Sequence, residues 1–157
     1  MPDVPTDRPN TIHWPPILYA VVLVAGGALH YALPIPALLS PPLCTIIGLP
    51  VLLAGLAFGV AALMRFRADR TPFDPTAAAT ALATGGIYRF SRNPMYLGAI
   101  LAFAGLGIWL KTSWLIVLMP VLAIALLVLA ITREEAYLER RFGADYRAYR
   151  DRVRRWI

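Results

Sequence analysis

The sequence has little charge, a single cysteine and a single lysine in 157 residues. Only 15% of the residues are charged and 59% are hydrophobic, a composition too apolar for a soluble domain. The chain is also too long for one anchored helix. Cys44 can form neither an internal disulfide nor a multi-cysteine metal site, so we interpret it as a small buried side chain. His13 and His30 have no second ligand at metal spacing, and we assign no metal. These absences favour an integral membrane protein.

Sequence features of exported proteins, soluble enzymes and transporters are missing as well. The start of the chain lacks the basic region and the cleavage site of a signal peptide, and we predict that residues 1–16 form a short cytoplasmic arm. No Ser, His and Asp arrangement and no Gly-rich nucleotide fingerprint is visible. Charged residues are nearly absent from the apolar blocks, which argues against a proton or ion transporter.

Four apolar blocks predict an all-α integral membrane protein with about four transmembrane helices. The blocks cover residues 17–33, 43–66, 95–110 and 113–131, each near the roughly 17 to 25 residues that a spanning helix needs. Short turns join the first pair and the last pair, so we expect two helical hairpins. Residues 67–94 would form a loop between the hairpins and residues 132–157 a helical tail, all within a single domain.

The distribution of basic residues predicts how the helices are oriented. The N-terminal arm has one Lys or Arg, the segment from Arg65 to Arg92 has five and the residues after Ile131 have eight, against none and one in the two hairpin turns. The positive-inside rule therefore places both termini and the loop in the cytoplasm. The bias towards Arg, Ala and Pro is typical of bacteria with GC-rich DNA, so we predict a bacterial inner membrane.

The net charge of +6 could also suggest a nucleic-acid partner. Basic residues that cluster beside apolar spans are instead typical topology signals, and they attract anionic lipid headgroups. We therefore predict contact with membrane lipids and no binding of nucleic acid.

The end of the 67–94 loop has the densest run of polar and aromatic residues. Asn93 and Pro94 directly precede an apolar block, which predicts a helix start with Asn as N-cap and Pro in the first turn. A helix start presents unpaired N–H groups, and together with Arg89 and Arg92 it could hold a carboxylate or a phosphate. Alternatively, the two arginines are membrane-flanking anchors.

The last apolar block continues into a charged segment with helical spacing. One face of this helix would comprise Ala130, Glu134, Leu138 and Phe142. Glu134 thus lies in an apolar stripe, with Glu135 beside it. An acid at the edge of the hydrocarbon is costly without a partner, so it is either a functional group or part of an ion pair with Arg89, Arg92 or Arg133.

The tail alternates aromatic and basic residues. Its aromatic and apolar residues recur at i, i+3, i+7 and i+10, namely Tyr146, Tyr149, Val153 and Trp156. This pattern predicts an amphipathic helix that lies on the membrane surface.

Two ordered motifs in these segments match a known membrane enzyme superfamily. Gly-Ile-Tyr at 86–88 and Arg-Asn-Pro-Met-Tyr-Leu-Gly at 92–98 are followed, after one hairpin, by Glu134-Glu135, Leu138, Phe142-Gly143 and Tyr146. Over roughly residues 55–153 the chain resembles the isoprenylcysteine carboxyl methyltransferase and phospholipid methyltransferase superfamily. The resemblance implies an enzyme that binds S-adenosyl-L-methionine at the cytoplasmic face and methylates a lipophilic or membrane-borne small molecule.

The resemblance also implies which residues contact the cofactor. By position these are Thr80, Ala81, Leu82, Ala83, Tyr88, Asn93, Pro94, Met95, Tyr96 and Glu134. Tyr88 and Tyr96 would offer aromatic surface to adenine or the sulfonium, and Glu134 would accept hydrogen bonds from ribose hydroxyls or the amino group. The helix start and the nearby arginines would serve the methionyl carboxylate. Arg92 and Glu135 are the catalytic candidates, as groups that orient the acceptor.

Departures from the superfamily patterns keep the acceptor open. Asn93 stands where the prenylcysteine enzymes usually have His, and Ala130 stands where they have the Arg used near the substrate. The glycine motif of the phospholipid enzymes is half present, as Leu53-Ala54-Gly55. The alternative function is a non-enzymatic membrane protein, such as an assembly factor or small carrier, that keeps the fold. Dimerisation through glycine-lined helices is a further expectation.

Overall fold

A computed structural model describes residues 14–70 and 79–157, and within them the chain is helical with no strand. The helices are α1 (Trp14–Ala32), α2 (Pro41–Ala68), α3 (Pro94–Trp109), α4 (Ser113–Phe142) and α5 (Ala144–Arg152), with a 3₁₀ turn at Gly86–Arg89. Most of the predicted N-terminal arm and part of the predicted loop lie outside the described residues. We call the end of the bundle that carries residues 79–93 and α5 the loop end.

Three of these helices, α1, α2 and α4, are long and apolar enough to cross a membrane. The third apolar block forms α3, a shorter apolar helix of 16 residues. Large aliphatic side chains project outwards, and Val24, Ile46 and Ile124 are each more than 60% exposed. Such a surface fits lipid rather than water. The prediction of an all-α membrane protein is therefore confirmed, with helices at all four apolar blocks.

The first helix starts earlier than predicted. α1 begins at Trp14 and includes Pro15 and Pro16 in its first turn. The first N–H groups of a helix have no intrahelical acceptor, so proline there removes no hydrogen bond. The boundary between residues 16 and 17 was therefore wrong, and Pro15 and Pro16 belong to the helix rather than to the arm.

Glycines bring the backbones of α2 and α3 into direct contact. A Cβ atom added to Gly55 would overlap the backbone nitrogen of Ala102, and one added to Gly98 would lie 2.7 Å from the carbonyl oxygen of Gly55. Gly105 meets Leu52 in the same way. These glycines therefore allow the two helices to pack closely. Since they are covered inside the molecule, the same atoms cannot serve the expected dimer.

The last long helix continues well past the predicted span, as its spacing indicated. α4 is interrupted at Leu118, two residues before Pro120, and contains a π-helical segment at Leu127–Ile131. Proline lacks the N–H group that a helix interior requires, and a π segment inserts one wider turn. The π segment directly precedes the part of α4 that carries Glu134 and Glu135.

The C-terminal helix packs against protein rather than on the membrane. Tyr146 and Tyr149 are 1% and 4% exposed and form a core with Tyr88, while Trp156 packs against the main bundle core. The predicted location of this face on the membrane surface is therefore wrong. The helix ends at Arg152, and Val153 takes an extended conformation.

Candidate functional site

A cavity of about 680 Å³ opens at the loop end between the helices. Its wall includes Pro15, Pro16 and Tyr19 of α1, together with one face of α2 and of α3. The remaining wall comes from Ala79, residues 81–83, the 3₁₀ turn, the inner face of α4 and the two tyrosines of α5. This volume is in the range that binds cofactors and drug-sized ligands, roughly 300 to 1,000 Å³.

Tyrosines from α4 and α5 hold the loop wall in place. The hydroxyl of Tyr137 accepts a hydrogen bond from the backbone N–H of Ala79 at 2.9 Å. The hydroxyl of Tyr149 donates to the carbonyl oxygen of Tyr88 at 2.7 Å. Burial raises the pKa values of Tyr88 and Tyr149 well above their usual range, so both hydroxyls keep their protons at neutral pH. The ring of Tyr88 also packs against Phe66, with centroids 5.4 Å apart.

The start of α3 is fixed by the segment that follows α5. Asn93 is the N-cap residue and Pro94 the first helical residue, as predicted, but the Asn93 side chain makes no capping bond. Its Nδ2 donates to the carbonyl oxygen of Arg155 at 3.2 Å, and the hydroxyl of fully buried Ser91 donates to the same oxygen at 3.2 Å. The backbone N–H of Arg92 donates to the carbonyl oxygen of Arg154 at 3.0 Å. The predicted helix start is therefore confirmed, but the cap bond is absent. The Nδ2 bond to Arg155 orients the Asn93 side chain, and its Oδ1 accepts no bond from the first turn.

Glu134 faces the cavity beside an aromatic hydroxyl. The hydroxyl of Tyr96 donates to Oε1 of Glu134 at 2.5 Å, a distance typical of a charge-assisted bond. Within the described residues, Oε2 of Glu134 has no hydrogen-bond partner and Glu134 has no ion pair. The carboxylate can therefore accept hydrogen bonds from a ligand in the cavity.

Glu135 lies between two guanidinium groups. Arg155 holds it through two bonds, from Nε to Oε1 at 3.1 Å and from Nη2 to Oε2 at 2.7 Å. Nη2 of Arg92 lies 3.4 Å from Oε1, and Nη1 of Arg92 donates to the hydroxyl of Tyr146 at 3.5 Å. Nε of Arg92 is buried and has no partner among the described residues. The predicted ion-pair alternative thus applies to Glu135 and Arg92, but not to Glu134.

Most of the predicted site residues line this one cavity. These are Ala81, Leu82, Ala83, Tyr88, Arg92, Asn93, Met95, Tyr96, Glu134 and Glu135. Thr80 does not line it, since its side chain is exposed and donates to the carbonyl oxygen of Arg70 at 3.0 Å. Pro94 is buried in the helix start and also lies outside the cavity wall. The structure therefore brings together residues that are 38 or more positions apart in sequence, as in the Tyr96 and Glu134 pair.

Sequence reasoning missed several residues of the site. Tyr137, Tyr146 and Tyr149 line the cavity, and Arg155 reaches it through Glu135. The spacing of the tail tyrosines was a usable signal, because an aromatic face can pack on protein as well as on lipid. Tyr19 of α1 had no comparable signal, since nothing in its sequence surroundings distinguishes it from a lipid-facing residue.

The cavity combines two chemistries. Its polar end has a carboxylate, a buried guanidinium and aromatic rings, which suit a ligand with hydroxyl, carboxylate and ring groups. The rest of its wall is apolar and runs along α2 and α3, where Leu56, Val60 and Ala99 contribute. One ligand could bind at the polar end while an apolar one lies along the helices.

The fold and this cavity define a membrane protein with a ligand site at one end of its helices. The sequence model of the phospholipid methyltransferase family matches residues 43–145, about two thirds of the chain, and the chain belongs to that family. The predicted superfamily is thereby confirmed, and the family is one of methyltransferases. The match excludes α1, most of α5 and Arg155.

A curated relative also matches part of this chain. An uncharacterized protein of Haemophilus influenzae is 43% identical over 65 residues, which cover 40% of this chain and 100% of that protein. No solved structure matches the chain.

Proposed function

We propose that this protein transfers a methyl group from S-adenosyl-L-methionine to a lipophilic acceptor. The observation that carries the proposal is a cavity whose polar end, with Glu134 and Arg92, continues into an apolar groove along α2 and α3. Membership of a methyltransferase family supplies the reaction class. The two chemistries of the cavity correspond to a water-soluble donor and an apolar acceptor.

The residues at the polar end fit the groups of this cofactor. Glu134 has one oxygen free of hydrogen bonds within the described residues, which suits a ribose hydroxyl. Arg92 lines the cavity, and its guanidinium, whose contact with Glu135 measures 3.4 Å, suits the methionyl carboxylate. Tyr88 and Tyr96 border the same space and offer ring surface to adenine or to the positive sulfur.

S-adenosyl-L-methionine, when bound, supplies a methyl group already activated by a sulfonium, so the protein needs no covalent nucleophile. This chain's residues then have to orient two ligands and exclude water. The buried tyrosines close the loop end over the polar part of the cavity. Glu135 is held by Arg155 and lies 3.4 Å from Arg92, and we propose that it does not contact the acceptor itself.

The acceptor would lie in the apolar groove and reach it from the bilayer. Gly55, Leu56 and Gly59 of α2 and Ala99 and Ala102 of α3 line this part of the cavity.

We further propose four membrane spans, with both termini and the loop end on the cytoplasmic side of a bacterial inner membrane, because the basic residues cluster there.

A transfer assay tests the proposed reaction. Membranes containing the protein are incubated with S-adenosyl-L-methionine labelled in its methyl group, and the label is measured after extraction with organic solvent. We expect label in the organic phase that is absent from membranes containing the Glu134→Gln variant. No label in the organic phase above that control would favour the alternative, a non-enzymatic membrane protein of the same fold.

Filling the apolar groove should block the acceptor and spare the cofactor. Gly59 lines the cavity, and a Cβ there meets no described atom within 4 Å. We expect Gly59→Leu to lower methyl transfer by about a hundredfold, since small displacements of a reacting group have effects of that order. Binding of S-adenosyl-L-methionine should stay near the wild-type value.

The matched control for the groove is Gly27→Leu. Gly27 also has open space around its Cβ position, but it lies on α1 and outside the cavity wall. This variant should transfer methyl groups like the wild type. Equal activity of both variants would place the acceptor elsewhere.

A further inference from the structure

Arg92 is the buried cation of the cavity, and it is only loosely held by protein. Its side chain is 10% exposed, its contact with Glu135 measures 3.4 Å, and its Nε has no partner among the described residues. Charge-assisted hydrogen bonds between guanidinium and carboxylate are normally about 2.7–2.9 Å long. Arg92 lines the cavity and its terminal nitrogens are only loosely held, so they are available to an anionic ligand.

The pairing of Arg155 with Glu135 explains why Glu135 holds Arg92 only loosely. Glu135 is 13% exposed and needs a positive partner, because a buried carboxylate without one is costly. Arg155 provides that partner through two bonds of 3.1 and 2.7 Å, from a side chain that is 38% exposed and lies outside the cavity wall. Both carboxylate oxygens of Glu135 thus accept a hydrogen bond from Arg155, independently of Arg92.

The backbone around Arg155 fixes this geometry. The carbonyl oxygen of Arg155 accepts hydrogen bonds from Ser91 and Asn93, on either side of Arg92. The carbonyl oxygen of Arg154 accepts one from the N–H of Arg92 itself. Hydrogen bonds therefore join the backbone around Arg92 directly to that around Arg155, and both side chains contact the carboxylate of Glu135.

We infer that Arg155 is a positioning residue: it holds Glu135, and this leaves Arg92 to bind the carboxylate of the cofactor. The inference rests on the proposed function. Without Arg155, Glu135 would take Arg92 as its only partner and withdraw it from the ligand. Arg155 lies beyond the region matched to the family, so this role belongs to the C-terminal part of this chain.

The test compares two ligands by calorimetry on the detergent-purified full chain. S-adenosylhomocysteine has the carboxylate, whereas 5′-methylthioadenosine has the adenosine and the sulfur without it. We expect Arg155→Gln to weaken S-adenosylhomocysteine by about tenfold, the effect of one charged hydrogen bond, and to leave 5′-methylthioadenosine unchanged. Arg154→Gln, which changes the exposed neighbouring arginine, should change neither ligand.

A second variant separates positioning from a purely structural role. In Arg155→Gln with Glu135→Gln, no carboxylate competes for Arg92, so we expect affinity for S-adenosylhomocysteine to return most of the way to wild type. Equal weakening of both ligands in Arg155→Gln, or a double variant as weak as the single one, would overturn the inference. A wild type that binds neither ligand would refute the proposed function itself, and the inference with it.

Discussion

Glu134→Gln is expected to weaken binding of S-adenosyl-L-methionine by about tenfold to a hundredfold. A hydrogen bond to a charged group contributes about 1.5–3 kcal/mol, and the substitution replaces a carboxylate by a neutral amide of the same shape. The Gln side chain can still accept the bond from Tyr96 that Glu134 accepts now, so the fold should persist. Calorimetry with the purified protein measures the loss.

The control for this prediction is Glu139→Gln on the same helix. Glu139 pairs with Arg150 at 2.7 Å in an ion pair whose side chains are 35% and 39% exposed, and it lies away from the cavity. Exposed pairs contribute little, so this variant should bind the cofactor like the wild type. Equal affinities of wild type and Glu134→Gln for the cofactor would show that Glu134 is not part of the cofactor site.

Gly55→Ala is expected to destabilise the bundle by about 1–3 kcal/mol or more, because the added methyl group overpacks a filled contact. The new Cβ would overlap the backbone nitrogen of Ala102 and lie 2.6 Å from the carbonyl oxygen of Gly98. Backbone atoms cannot move aside as a flexible side chain can, so α2 and α3 would have to separate. Both helices line the cavity, which should lose its shape as well.

Thermal unfolding in detergent measures this effect, with Gly27→Ala as the control. Gly27 is also a helix glycine, but its Cβ position meets no described atom within 4 Å. Alanine favours a helix over glycine, so Gly27→Ala should be as stable as wild type or slightly more stable. A Gly55→Ala protein as stable as Gly27→Ala would show that the helices do not pack as described.

The helices and much of the site could be predicted from sequence for physical reasons. A spanning helix needs a long apolar segment, and such segments are visible without any tertiary information. Glu134 was conspicuous because an acid in an apolar stripe needs a partner or a function, and the structure gives it Tyr96 and a cavity. Tyr88, Asn93 and Tyr96 were assigned because they lie in a short continuous motif that resembles the superfamily.

Contacts made by the tail could not be predicted in the same way. The spacing of Tyr146 and Tyr149 fixes one aromatic face, but the same face can pack on lipid or on protein. Only the tertiary structure shows that it covers Tyr88. Arg155 was one of many tail arginines, and its pairing with Glu135 depends on a chain segment that leaves α5 in an extended conformation.

Side-chain partners at the start of α3 were also beyond sequence reasoning. Asn93 stands at the N-cap position, where a capping bond is the usual outcome. Here the side-chain Nδ2 donates to the carbonyl oxygen of Arg155, and this orients the side chain so that its Oδ1 makes no capping bond. The partner of Thr80 could not be predicted either. Its neighbours line the cavity, while its own hydroxyl donates to the carbonyl oxygen of Arg70.

Titration of the detergent-purified wild-type protein with S-adenosyl-L-methionine tests the central claim most directly. A cofactor site predicts saturable binding that S-adenosylhomocysteine displaces. A folded protein that gives no heat of binding with either ligand at concentrations up to the millimolar range would contradict the account. The helical bundle and its family would then stand, and the cavity would need another ligand.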